Sequence, residues 1–335
     1  MKRIGLAALA AMAMTVAAPV TKAEEANYIL TTASTGGTYY PVGVALSTLV
    51  KVKLQPKQKI GMSAISSAGS GENVRLLREG EAQFGIIQGL YGYYASQGTG
   101  PLAEAGVQEK LRSVTMLWQN VEQFVVAADA VQSGTFSDMA TLKGEAMALG
   151  KQNSGTIGSN AALLSGIGVD LSADYDLVHG GYGPSAEALQ NGQVKGIGTP
   201  AGVPTGAISQ LMAAAGDKVR MLNFTAEEVA KADAGRNLWT PYTIPAGTYP
   251  GQDADIQTIA QPNFLATSAD LPEENVYMIT KTIYENLPFL QAIHPATKAM
   301  AVEKAIAGLP VPLHPGAAKY YKEVGIDIPE RLIAK

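Results

Sequence analysis

Ser34-Thr-Gly-Gly-Thr-Tyr-Tyr-Pro-Val-Gly43 follows directly on the short apolar run Tyr28-Ile-Leu-Thr-Thr32. The pair reads as a strand that ends in a glycine turn and opens a helix. Gly36 and Gly37 permit backbone angles closed to other residues and let a ligand approach the main chain. The first turn of the following helix offers free N–H groups and the positive end of the helix dipole, which favour anions. Ser34, Thr35 and Thr38 add hydroxyls, and Tyr39 and Tyr40 add ring walls with polar tips. Neighbouring helix positions cannot share a face, so one tyrosine is expected to meet the cleft and the other to pack. The loop is expected to supply half of a ligand-binding cleft.

The same unit recurs along the chain. Strands are expected at Ile60 to Ser66, Phe84 to Gln88, Val114 to Trp118 and Gln123 to Ala128, and again at Ala146 to Leu149, Tyr175 to Val178 and Val194 to Thr199. Helical patterns follow Ser67-Ala-Gly-Ser-Gly-Glu-Asn73, begin near Tyr91, and run over Ile157 to Gly166, Ser185 to Gln190 and Pro204 to Ala214. Strands alternating with helices mean an α/β architecture, here expected with mainly parallel sheets. Ligands of such sheets lie beyond the carboxyl ends of the strands. Polar, glycine-bearing loops stand there at residues 34–38, 67–73, 88–91, 150–156, 180–184 and 199–204. Three loops in the first third and three in the middle third imply two lobes facing one cleft. Chain crossings are expected near Trp118 to Gln123 and Ile256 to Gln261. Lobe I is then 24–119 plus 256–335, and lobe II is 120–255.

The chain opens with Lys2-Arg3, an apolar run from Ile4 to Ala18, and Pro19-Val-Thr-Lys-Ala23. This is the order of a cleaved signal peptide, residues 1–23, and the run is shorter than the ~20 residues of a membrane-spanning helix. A periplasmic location is expected. The complete absence of cysteine rules out disulfides and a cysteine-linked lipid. Losing Lys2, Arg3 and Lys22 leaves 22 basic residues against 29 acidic ones, a formal charge of about −7. No basic run remains, which argues against nucleic acid and anionic membranes. With 47% hydrophobic residues the chain is globular despite its 36 glycines and 18 prolines, and a monomer is expected.

Several motifs in one order then resemble the TAXI family of solute receptors of TRAP transporters. They are Ser34 to Gly43, Ala68-Gly-Ser-Gly-Glu-Asn-Val-Arg-Leu-Leu77 and Ser154-Gly-Thr156, followed by Ile244-Pro-Ala-Gly-Thr-Tyr-Pro-Gly251, Val276-Tyr-Met-Ile-Thr-Lys281, Pro312-Leu-His-Pro-Gly-Ala317 and Tyr320-Tyr-Lys-Glu-Val-Gly325. The resemblance implies a type II periplasmic binding protein, whose lobes close by hinge motion on a small molecule. It also implies integral-membrane TRAP transporter subunits as partners. Family ligands include glutamate, glutamine and 2-oxoacids. Two positions depart from the family pattern: Leu90, in Gln88-Gly-Leu-Tyr-Gly-Tyr93, and Gly196, in Gly192-Gln-Val-Lys-Gly196, each replace an acid. If either acid lines the cleft, an α-amino ligand loses its partner, because an unpaired buried charge is costly. A carboxylate, dicarboxylate or 2-oxoacid ligand is expected, with an amino-acid receptor, an ABC-importer receptor or a sensor-kinase receptor as alternatives.

The expected ligand contacts are Ser34, Gly37, Thr38, Tyr39, Tyr40, Ser70, Asn73, Gln88, Tyr91, Ser154, Gly155, Thr156 and Tyr182. Trp118 and Glu122 are weaker candidates. Helix capping would equally explain Ser70, Asn73, Ser154 and Thr156, and core packing would explain the large aromatics. No catalytic, metal or cofactor site is expected. The three histidines, His179, His294 and His314, form no metal-ligand spacing, and neither a Gly-x-Ser-x-Gly elbow nor a P-loop occurs.

Overall fold

The computed structural model describes residues 25–334, so the leader read in residues 1–23 lies outside the described residues. The first strands and helices are β1 (Ala26–Thr31), α1 (Tyr39–Gln58), β2 (Ile60–Ile65), α2 (Ser70–Arg78), β3 (Phe84–Gln88) and α3 (Gly89–Gln97). The middle holds β4 (Leu111–Val121), β5 (Phe124–Ala127), β6 (Ala146–Ala148), α4 (Gly155–Gly166), α5 (Leu171–Asp174), β7 (Asp176–Leu177), α6 (Tyr182–Gln190), β8 (Gly196–Gly198), α7 (Gly206–Ala215) and β9 (Val219–Met221). The remainder is α8 (Ala226–Asp233), β10 (Thr240–Ile244), β11 (Ile256–Ser268), α9 (Glu273–Glu285), α10 (Leu287–Ile293) and α11 (Pro315–Glu323).

Two sheets organise these elements. The first has the order β10-β11-β3-β1-β2, with β4 also pairing with β11 off this path; the second is β7-β6-β8-β5-β9. Both are mixed, which corrects the expectation of mainly parallel sheets. β1 pairs in parallel with β2 and β3, and β6 with β7 and β8, as strand–helix–strand units require. The exceptions are β11, the longest strand among the described residues, and the short β5. β11 runs antiparallel to β3, β4 and β10, and β5 antiparallel to β8 and β9. The expected loop at 88–91 is also absent, since α3 begins immediately after β3.

Apolar side chains of α1, α9 and α11 cover the first sheet around Leu30, Phe84, Ile86, Trp118 and Phe264. The second sheet is covered on both faces. On one face Phe124, Phe136 and Phe224 pack ring against ring, with Phe136 and Phe224 stacked at 4.5 Å. On the other, Ile197 and Val125 meet Ile208 and Leu211 of α7. Full burial of each such side chain contributes roughly 1.5–3 kcal/mol. The chain passes from the first sheet to the second through Glu122 and Gln123, between β4 and β5. Beside that passage, the Glu122 N–H donates to the Ile259 carbonyl of β11 at 2.9 Å.

Candidate functional site

The strand ends and helix starts of both sheets meet at a narrow cleft. Four helices begin on it. Gly37, Thr38 and Tyr39 bring the start of α1; Gly69 and Ser70 that of α2; Ser154, Gly155 and Thr156 that of α4; Gly181 and Tyr182 that of α6. The starts of α1, α2 and α6 have no side-chain cap. Their first-turn N–H groups are therefore left to other partners. Among the described residues Lys151 is the only charged one in the lining, and its Cε would lie 3.4 Å from a Cβ on Gly181, just before α6.

Direct bonds tie one side of the cleft to the other. Gln88 Nε2 donates to the Gly155 carbonyl at 2.9 Å, and the Glu72 N–H donates to the Asn153 carbonyl at 3.0 Å. Thr38 Oγ1 donates to the Gly202 carbonyl at 3.0 Å, while Ser34 Oγ accepts from the Tyr182 N–H at 3.2 Å. The backbones approach closely at glycines, as where a Cβ on Gly36 would stand 3.0 Å from the Gly183 nitrogen. The two halves are closed against each other.

Ten of the expected contacts line this cleft: Ser34, Gly37, Thr38, Tyr39, Ser70, Gln88, Ser154, Gly155, Thr156 and Tyr182. Of the two tyrosines, Tyr39 faces it and buried Tyr39 Oη bonds Asn263 Oδ1. Tyr40 is half-buried and does not line it. Burial raises the Tyr39 and Tyr182 phenols, so both remain neutral donors at ordinary pH. The Tyr182 hydroxyl donates to the Pro200 carbonyl at 2.6 Å, and the Thr156 hydroxyl lies 2.9 Å from it. Ser154 caps α4 by accepting from the Ile157 N–H.

Asn73 and Tyr91 stand behind the lining. The Asn73 amide is saturated: Oδ1 accepts from the Thr31 and Ser67 hydroxyls, and Nδ2 donates to the Thr32 and Ile86 carbonyls, all within 2.7–2.8 Å. It bolts α2 to β1 and β3 and has nothing left for a ligand. Asn73→Ala removes these four hydrogen bonds and is expected to cost roughly 3–5 kcal/mol in urea unfolding; a loss below ~1 kcal/mol would refute the bolt. Tyr91 is 2% exposed and its hydroxyl donates to the Ser154 carbonyl at 3.1 Å, a strut between α3 and the start of α4.

Lys151 was not among the expected contacts, because a single lysine in a loop reads as a solvated charge. Leu90 and Gly196 both lie away from the lining. Leu90 is fully buried in the apolar cluster with Phe124. A Cβ on Gly196 would stand 2.7 Å from Met147 Cε, so that position has no room for a carboxylate. The absence of acids at these two positions therefore does not bear on the ligand.

Residues 30–325 match the model of the NMT1-like family. The chain belongs to the NMT1-like family. This NMT1-like protein also resembles several solved structures at low identity. A protein of Bordetella bronchiseptica RB50 is 12% identical, with 92% of this chain and 87% of that chain covered, at a TM-score of 0.54. A Xanthomonas citri protein solved bound to ATP is 11% identical over 90% and 96%, at 0.52. A binding protein component of an ABC phosphonate transporter from Pseudomonas aeruginosa is 9% identical over 81% and 78%, at 0.50. The shared feature is the fold, the two-lobed α/β fold of periplasmic binding proteins.

Proposed function

We propose that this NMT1-like protein is a periplasmic receptor that captures a small organic anion between its lobes and hands it to a membrane transporter. The observation that carries the reading is the charge of the cleft: one lysine, no carboxylate, and four helix starts turned inward. An anion gains from each of these. An α-ammonium group would find no carboxylate in the lining, so carboxylates, 2-oxoacids, sulfonates and phosphonates are favoured over amino acids. Lobe I is assigned to 24–119 plus 256–335 and lobe II to 120–255, hinged where the chain crosses near Trp118 to Gln123 and Ile256 to Gln261. A ligand that touches both lobes shifts the population towards closure. TRAP subunits are the proposed partner on the strength of the motifs. The ABC alternative draws on the Pseudomonas aeruginosa protein, whose partner is an ABC phosphonate transporter.

Thermal shift against 2-oxoglutarate, glutarate, an aliphatic sulfonate, a phosphonate, glutamate and glutamine tests the ligand class. An anion at a hundredfold excess over its Kd stabilises by about 2.7 kcal/mol. Stabilisation by glutamate alone would overturn the preference for ligands without an amine. Lys151→Gln is expected to weaken the binding of any such anion roughly tenfold and to flatten its salt dependence. Titration calorimetry at two ionic strengths reads both effects.

A further inference from the structure

Three adjacent strands of the first sheet carry buried polar side chains on one face, next to the cleft. In the register of β3, β11 and β4, Gln88 stands opposite Asn263, Asn263 opposite Trp118, and Gln261 opposite Asn120. Opposed residues project from the same face, as do residues two apart along a strand. The five side chains therefore form one row, and none is more than 2% exposed. Two cleft residues connect to it. The Tyr39 hydroxyl bonds Asn263, the Tyr39 ring meets Trp118 edge-on at 5.9 Å, and Asn120 Nδ2 donates to Gln88 Oε1 at 3.3 Å.

The row is incompletely satisfied. Trp118 Nε1, Asn120 Oδ1 and Asn263 Nδ2 have no hydrogen-bond partner. Buried polar atoms are rarely left unpaired in a native protein, and three unmatched ones in a single row beside a cleft can be satisfied by a group that enters from it. Two donors and one acceptor, all uncharged, match a neutral group with a carbonyl oxygen and an N–H or O–H. They do not match a second anionic group, since no cation lies in the row.

Resting on the anion-receptor reading and deepening it, we propose that Tyr39, Gln88, Trp118, Asn120 and Asn263 form an inner compartment of the site that takes an uncharged carboxamide or hydroxy-carbonyl group. The ligand is then a monoanion. Its acidic end lies at Lys151 and the helix starts, and its neutral polar end reaches between Tyr39 and Gln88 to the row.

Hexanoate and 5-amino-5-oxopentanoate, equal in chain length and alike at the acidic end, test this on the mature protein. The carboxamide is expected to bind at least tenfold tighter in calorimetry. Asn120→Leu is expected to erase that preference, with the carboxamide losing at least tenfold more affinity than hexanoate. The wild type gives a test independent of the variant's folding. The chain has two tryptophans, Trp118 and Trp239, so ¹⁵N-tryptophan labelling yields two indole N–H signals, assigned with Trp239→Phe. The Trp118 signal is expected to move downfield with the carboxamide and not with hexanoate. Trp239 already donates to Glu122 at 3.0 Å and should stay in place. Equal affinities, no binding by either probe, or a Trp118 signal unmoved by the carboxamide would overturn the inner compartment. Anion binding that is insensitive to Lys151→Gln would instead overturn the receptor reading itself.

Discussion

Gly71→Ala is expected to hold the two lobes apart and to weaken ligand capture by a hundredfold or more. A Cβ on Gly71 would stand 2.5 Å from the Asn153 carbonyl oxygen and 3.1 Å from Tyr91 Cε1. The oxygen belongs to a backbone that cannot yield easily, because Asn153 sits at φ 59° and its carbonyl accepts the Glu72 N–H. Gly71 lies inside α2, where alanine is favoured over glycine by about 1 kcal/mol. Within its own lobe the methyl group requires only a shift of a few tenths of an ångström at Tyr91, so the main obstruction falls on the approach of the lobes. Gly155→Ala obstructs the same approach from the other side, with a Cβ 2.6 Å from Ser70 Oγ and 2.9 Å from Gln88 Oε1. Small-angle scattering with the best-binding anion should show compaction of the wild type and none in either variant. A variant that compacts and binds like the wild type would show that the lobes close by another path.

The loops that begin the helices were legible in the sequence because their chemistry is local. Gly36-Gly37, Ser70 and Ser154-Gly-Thr156 announce helix starts through backbone freedom and hydroxyls, and neighbours in sequence suffice to read them. The antiparallel placing of β11 was not legible, since its pairing of Asn263 with Gln88 and Trp118 joins segments far apart in the chain. The polar row behind the cleft shares that origin: Asn120, Gln261 and Asn263 acquire their common face only from strand register. Asn73 shows the converse limit. Its residue type suits a ligand contact, but four partners drawn from β1, β3 and the loops beside them saturate it. Leu90 and Gly196 were read as substrate positions by pattern alone, whereas packing against Phe124 and Met147 determines them.

Glu122→Gln is expected to remove the component of pH-dependent stability that this buried carboxyl contributes. The side chain stands at the passage between β4 and β5, 1% exposed. Its Oε1 accepts from Ser159 Oγ at 2.7 Å, Trp239 Nε1 at 3.0 Å and Gln261 Nε2 at 3.1 Å, while Oε2 has no partner. Burial outweighs these three neutral donors and pushes the carboxyl from its ordinary 4.5 up to about 7. The folded protein thus holds this proton more tightly than the unfolded chain. The resulting stability is fully present below about pH 4.5 and is lost as pH rises through 7. At about 1.36 kcal/mol per pKa unit, the loss across that window is roughly 3 kcal/mol. Glutamine keeps an acceptor for Ser159, Trp239 and Gln261 but cannot ionise. The variant should therefore match the wild type near pH 4.5 and exceed it by roughly 3 kcal/mol at pH 8 in urea unfolding. Taking the difference between the two proteins at each pH cancels every other titrating group. A constant difference from pH 4.5 to 8 would mean that folding does not raise the Glu122 carboxyl. Its three donors come from α4, β11 and the segment before β10, so the proton on Glu122 bears on the passage through which both lobes are connected.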